Sequence, residues 1–258
     1  MNLRSWLTLI LACACFACSS SKETQTEIID PTTASPTLTT TATTTNNPKL
    51  TQTPTVTQPP PPSPTPTPIE YAILRGKVIV DGRLSCRFGP GTMYLYKFSF
   101  AGGTSIEVVG RMEYSRWVLV RAIGGTNRCW VNGGPQFLQI DGDPMSLRPV
   151  DPHIVLAWSP YYGAMGGIGA SRQGNVVTVR WGGIQLRAGD DSEQTPYIVE
   201  AWVCQGGEFV FAPVGSYGFS AEIIDEPGCA ERSHARAAAA EKHGYTPWVE
   251  VDWPAYRN

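Results

Sequence analysis

Near the end of its first quarter the chain reads Pro59-Pro60-Pro61-Pro62-Ser63-Pro64-Thr65-Pro66-Thr67-Pro68. Upstream come Thr32-Thr33, Thr39-Thr40-Thr41 and Thr43-Thr44-Thr45. A stretch with so few large apolar side chains cannot bury enough surface to offset its chain entropy. Residues 18–69 are therefore expected to be a disordered Thr/Pro-rich linker, its proline-rich end extended as polyproline II. Roughly fifty such residues reach on the order of 150 Å when fully extended and about 40 Å as a coil. Any core must come from the remaining residues, roughly 190 of them, which suits two modules of about 75–110 residues.

The N-terminus has the layout of an export signal. Arg4 is followed by an apolar run from Trp6 that ends near Ala17, too short to span a bilayer and right for a signal peptide over residues 1–17. Phe16-Ala17-Cys18-Ser19-Ser20-Ser21 resembles a bacterial lipobox. The resemblance implies cleavage before Cys18 and a diacylglycerol on its sulfur. Cys15 stands where that family usually has Leu. Cys13, after Ile10-Leu11-Ala12, fits that position better but would leave apolar residues in the mature chain. Polarity begins directly after Cys18, which makes it the expected lipidation site and the protein an extracytoplasmic one, anchored to a bacterial cell membrane. Two or more acyl chains, at about 0.8 kcal/mol per buried CH₂, would hold it there stably.

From residue 70 onward the pattern is that of strands. Ser105 to Arg111 and Arg116 to Arg121 alternate with period two, and Lys77-Val78-Ile79-Val80 is a further strand candidate before the turn Asp81-Gly82. Arg87-Phe88-Gly89-Pro90-Gly91-Thr92 is excluded from helix by Pro90 and its flanking glycines. Charge is divided unevenly. Residues 71–145 carry nine Lys/Arg against five Asp/Glu, and residues 146–258 eight against thirteen. A basic module followed by an acidic one suggests an anionic partner for the first, or contact between the two.

Residues 70–140 resemble the bacterial SH3-like domain. Arg87, Gly89, Pro90, Gly91, Thr92 and Tyr94 follow that family's opening motif. Gly103, Val108 and Gly110 follow its turn and next strand, with Ile106 in place of the first Val; Trp117, Val120, Trp130 and Val131 follow its closing strands. The resemblance implies a small β-barrel with a binding groove near its first long loop. It departs from the family at Cys86 and at Asn127-Arg128-Cys129, and one disulfide from the first long loop to the last strand would explain both departures.

Residues 141–164 form a long aromatic connector with Trp158, Tyr161 and Tyr162, expected to pack against the second module. Over residues 165–254 short strands recur: Asn175 to Trp181, Tyr197 to Cys204, Phe209 to Phe211 and Ala221 to Ile224. Strands at this spacing argue for a β-sandwich. Asn175 to Trp181, Tyr197-x-Val199 and Ala240 to Trp248 resemble fibronectin type III elements, which implies that Ala235 to Glu241 is a strand. Propensity argues the other way: Ala235 to Lys242 favours helix, with Gly244 as a C-cap. The expected fold class is all-β: a small SH3-like barrel, then a fibronectin-III/immunoglobulin-like β-sandwich, after the disordered linker.

With Cys18 lipidated, Cys86, Cys129, Cys204 and Cys229 remain downstream, an even count that implies disulfides in an exported chain. Of three pairings, 86–129 with 204–229 keeps each bridge inside one module. No zinc spacing, G-x-S-x-G, H-E-x-x-H or phosphate loop occurs. The papain-like peptidase that often accompanies the SH3-like family would need a cysteine beside a histidine, and no cysteine is left over. No enzyme activity, metal or cofactor is expected. Candidate binding residues are Arg87, Tyr94, Tyr96, Phe98 and Tyr114 near the first long loop, and Lys242 and His243, expected at one end of the sandwich beside Asp190-Asp191-Ser192-Glu193. The SH3-like resemblance implies recognition of cell-wall peptidoglycan, and the positive charge of that module suits anionic wall polymer. The alternative is protein–protein adhesion at the cell surface through the sandwich. Nucleic acid is not an expected partner.

Overall fold

The computed structural model describes residues 70–256. Cys18, the signal region and the Thr/Pro-rich linker lie outside the described residues. Those described are all-β, with one short 3₁₀ turn at Pro144–Ser146.

The first seven strands are β1 (Leu74–Val78), β2 (Arg83–Arg87), β3 (Tyr96–Ala101), β4 (Ser105–Arg111), β5 (Trp117–Ala122), β6 (Arg128–Asn132) and β7 (Leu138–Asp141). They form one antiparallel sheet ordered β3-β2-β6-β5-β4-β1-β7. The expected barrel is not closed: among the described residues no ladder joins β3 to β7. β2 meets β6 at a single register pair, Arg87 with Trp130. The sheet nevertheless curls around one core, because Phe100, Val78, Leu138, Cys86 and Val120 from five strands bury their side chains together. Cys86 and Cys129 are bonded across this core, their Cα atoms 5.4 Å apart.

The remaining strands are β8 (Gly169–Gln173), β9 (Val176–Arg180), β10 (Tyr197–Gln205), β11 (Glu208–Phe211), β12 (Val214–Ser216), β13 (Ser220–Ile224), β14 (His234–Glu241), β15 (Gly244–Tyr245) and β16 (Val249–Val251). One sheet is ordered β13-β9-β8. The other runs β11-β10-β14, with β12 beside β10 and both β15 and β16 beside β14. Val177 and Val179 of the first sheet face Val199, Ala201, Val203, Ala235 and Ala237 of the second, which makes a sandwich. Cys204 is bonded to Cys229 with Cα atoms 5.7 Å apart.

Residues 235–241 are strand, not helix, for a reason visible in their burial. Ala235, Ala237 and Ala239 face the sandwich core, while Ala238 and Ala240 lie in a second core shared with the first sheet. A strand buried on both faces reads as an unbroken apolar run, without the alternation of a half-exposed one. Small side chains on its outer face let the neighbouring module come close. That second core joins Tyr94, Leu95, Met112, Leu119 and Trp130 to Ile198, Phe211, Ala238 and Tyr245, with Leu156 of the connector between them. The connector is tied at both sides. Trp130 Nε1 donates to the Pro152 carbonyl, 3.1 Å, and Ser159 N to the Tyr245 carbonyl, 2.8 Å.

Candidate functional site

A carboxylate sits at the centre of this shared core. Glu200, on β10, is fully buried. Its Oε1 accepts the Tyr94 hydroxyl and lies 2.8 Å from His153 Nε2; its Oε2 accepts Arg236 Nε at 2.6 Å. Arg236 is itself packed between indoles, 5.2 Å from the Trp202 ring and 5.4 Å from Trp248. Burial, then the Glu200 charge, pushes the Tyr94 phenol well above its ordinary value, so it stays a donor. A buried charge satisfied from three elements fixes how the two modules meet.

Tyr94 is therefore placed away from any ligand. It is completely buried, where a face of the first long loop was expected. Gly89 makes this possible: a Cβ there would lie 2.1 Å from the Tyr94 ring. Arg87 is half-buried and donates to the Tyr94 carbonyl, 2.6 Å, and burial holds its guanidinium below its ordinary value. Phe98 packs edge-on against Phe100 at 5.4 Å. Tyr96 and Tyr114 remain exposed, at 43 % and 47 %. The Tyr96 amide donates to Gln194 Oε1, 2.7 Å, and the Tyr114 ring meets Phe209 edge-on at 5.1 Å. Lys242 pairs with Asp190 and donates to the Gly189 carbonyl; His243 Nδ1 lies 2.8 Å from Glu241 Oε2. Residues 189–194 thus run from Lys242 to Tyr96 and link the two sets of candidates.

Three basic residues outside those sets lack an acidic partner among the described residues. Arg83 on β2, Lys97 on β3 and Arg128 on β6 lie on the outward side of the first sheet. Arg83 Nη1 donates to Ser99 Oγ, 3.2 Å; Lys97 Nζ crosses the Phe88 ring at 5.2 Å and donates to the Arg128 carbonyl, 2.9 Å. Burial, then the neighbouring Arg128 charge, lowers the Lys97 ammonium. Among the described residues no carboxylate lies within 4.0 Å of Arg83, Lys97 or Arg128. Arg121, paired in register with Arg128, is instead held by Glu107 at 2.8 Å, and Glu107 also takes Arg75 at 3.3 Å. Arg83 is exposed, while Lys97 and Arg128 are half-buried with no acid to neutralise them, an arrangement that suits an anion. The surplus of basic residues in this half was visible in sequence, but which of them lack partners depends on pairing across strands distant in the chain.

Comparison with known proteins adds no assignment: no protein-family model matches the sequence, and no curated protein matches it.

Proposed function

We propose that the protein is a noncatalytic, lipid-anchored surface protein that holds anionic cell-wall polymer on the outer face of its first sheet. The observation that carries this reading is the row Arg83, Lys97 and Arg128: Lys97 and Arg128 meet directly, Arg83 lies farther along the same face where it reaches Ser99, and none of the three has a carboxylate beside it among the described residues. Like charges brought together and left uncompensated raise the local potential and draw a polyanion. The SH3-like resemblance of residues 70–140 supports wall material as the source of that polymer. The sandwich order, β13-β9-β8 against β11-β10-β14-β16, supports the fibronectin III resemblance of the second module. Export and anchoring rest on the signal-like N-terminus and Cys18.

A second reading, adhesion to a surface protein through the sandwich, is supported by its exposed aromatic rings: Tyr217 is 78 % exposed and Phe219 59 %.

Co-sedimentation of the soluble exported chain (Cys18→Ala) with purified wall tests the first reading. The triple variant Arg83→Gln/Lys97→Gln/Arg128→Gln should bind about tenfold more weakly, since exposed charge contacts contribute about 0.2–1 kcal/mol each. Its melting temperature should fall only slightly: none of the three has an ion pair to lose, and what goes is the Arg83 bond to Ser99 and the Lys97 contacts with the Arg128 carbonyl and the Phe88 ring. Unaltered sedimentation of the triple variant would mean that the cationic row does not hold the polymer. Capture of a surface protein from envelope extract by the parent chain, lost on Tyr217→Ala/Phe219→Ala, would favour the second reading instead.

A further inference from the structure

The turn between β4 and β5, the segment after β6 and the 3₁₀ turn at Pro144–Ser146 enclose a cleft of about 400 Å³. That is within the size of small-ligand sites, roughly 300–1,000 Å³. Its lining includes Tyr114, Pro135, Pro144 and Met145, with Arg111 and Arg116 among them. Met145 is 66 % exposed, unusual for so apolar a side chain.

Arg111 is the feature that stands out. Its side chain is only 18 % exposed, and its Nε is buried without a hydrogen-bond partner. Its nearest carboxylate, Glu113, is 3.9 Å from Nη2 and itself half exposed. A guanidinium does not shed its proton, so a buried Nε without a partner is costly, and the Nη nitrogens, of which Nη2 has only the distant Glu113, are the donors left to face a ligand. Arg116, exposed at the same cleft, has no ion pair among the described residues. Tyr114 adds a second, independent feature. Its φ of 58° makes it the one non-glycine among the described residues in the left-handed region. The Phe211 amide holds it there by donating to its carbonyl, 2.9 Å. Backbone strain in a bulky residue collects at ligand sites.

We propose that this cleft binds the C-terminal end of a short peptide. The terminal carboxylate sits on Arg111, with Arg116 beside it, and the last apolar side chain lies against Met145 and Tyr114. A planar carboxylate matches the guanidinium fork in two parallel hydrogen bonds, and the apolar walls select against a sugar or a polyphosphate chain. The cleft shares no residue with the Arg83, Lys97 and Arg128 row, so the two readings stand or fall separately.

Calorimetric titration of the soluble exported chain tests the proposal with three probes: N-acetyl-alanyl-leucine as the free acid, the same peptide as its C-terminal amide, and octanoate. The free acid should bind about tenfold or more tightly than the amide, the effect of one charge-assisted hydrogen-bond pair. Arg111→Gln should lose that preference, and Arg116→Gln should weaken the acid about threefold at low salt. Should Arg111→Gln fail to fold, the acid–amide comparison on the unmodified chain and Met145→Ala carry the test. Equal binding of acid and amide, binding of octanoate but not of the peptide acid, or no binding of any probe would overturn the proposal. The Arg83→Gln/Lys97→Gln/Arg128→Gln variant should bind the peptide acid normally.

Discussion

Replacing Tyr94 with phenylalanine removes one oxygen atom and leaves the ring against Gly89 and Tyr245. What is lost is the hydrogen bond to Glu200 at the junction of the modules. A hydrogen bond to a charged group contributes about 1.5–3 kcal/mol. Glu200 keeps Arg236 and His153 in the variant, so no charge is left unpaired, and the expected cost is about 2 kcal/mol. For a chain of this size that lowers Tm by roughly 4–8 °C. Glu200→Gln should cost more, about 3 kcal/mol. It weakens Tyr94, His153 and Arg236 together, though water reaches Arg236 and softens the loss. The two changes should not add: a double-mutant cycle should show a coupling of about 1–2 kcal/mol. Urea unfolding followed by tryptophan fluorescence suits the measurement, because Trp130, Trp202 and Trp248 pack in or around the shared core. A single transition is expected, since neither module buries this core without the other. A Tyr94→Phe protein within about 0.5 kcal/mol of the parent, or two resolved transitions, would refute the reasoning.

Gly89→Ala should unfold the chain more readily than Tyr94→Phe, because its Cβ would force the Tyr94 ring off Glu200; a melt within about 2 °C of the parent would contradict the close approach. Stability should be flat from pH 7 to 9 and fall above about pH 10. There the unfolded chain releases phenol protons that folded Tyr94 and Tyr245, both raised mainly by burial, still hold. A stability that rises over that range would contradict their burial. On the acid side, burial raises Asp225, but hydrogen bonds from Ser233, Trp253, Arg172 and the Cys204 amide outweigh it and hold its carboxyl below the usual range. Its contribution is therefore present above about pH 4 and lost as pH falls further, a loss that Asp225→Asn should flatten. Peptide mapping without reduction should recover Cys86 with Cys129 and Cys204 with Cys229; a cross-module peptide would contradict both bridges.

Strands that alternate were legible before the structure. Ser105 to Arg111 is β4, and Tyr197 to Cys204 lies within β10. β8, with its sequence Gly-Ala-Ser-Arg-Gln, was not, because no apolar pattern marks it and β9 supplies its register. The junction was missed for a different reason. Glu200 is the lone charge of β10, and Arg236 shares β14 with only one other, Glu241 at its end; the two sit on the same outward parity, and their cross-strand register makes them partners. That parity was readable, but its meaning depends on the first module covering the outer face of the sandwich. Tyr94 looked like a groove residue because its neighbours match a loop motif; the burial that removes it from solvent comes from Tyr245 and Glu200, more than a hundred residues away.

The row Arg83, Lys97 and Arg128 is proposed to retain the protein on anionic wall polymer. The most direct measurement is co-sedimentation of the soluble exported chain with intact wall and with wall stripped of its anionic polymer, over a salt series. Screening shortens from about 10 Å at 0.1 M to about 3 Å at 1 M, so contacts made at an open surface must weaken across that range. The expected result is retention on intact wall at about 0.1 M, release near about 1 M, and little retention on stripped wall at either. Equal retention on intact and stripped wall, indifferent to salt, would contradict the claim.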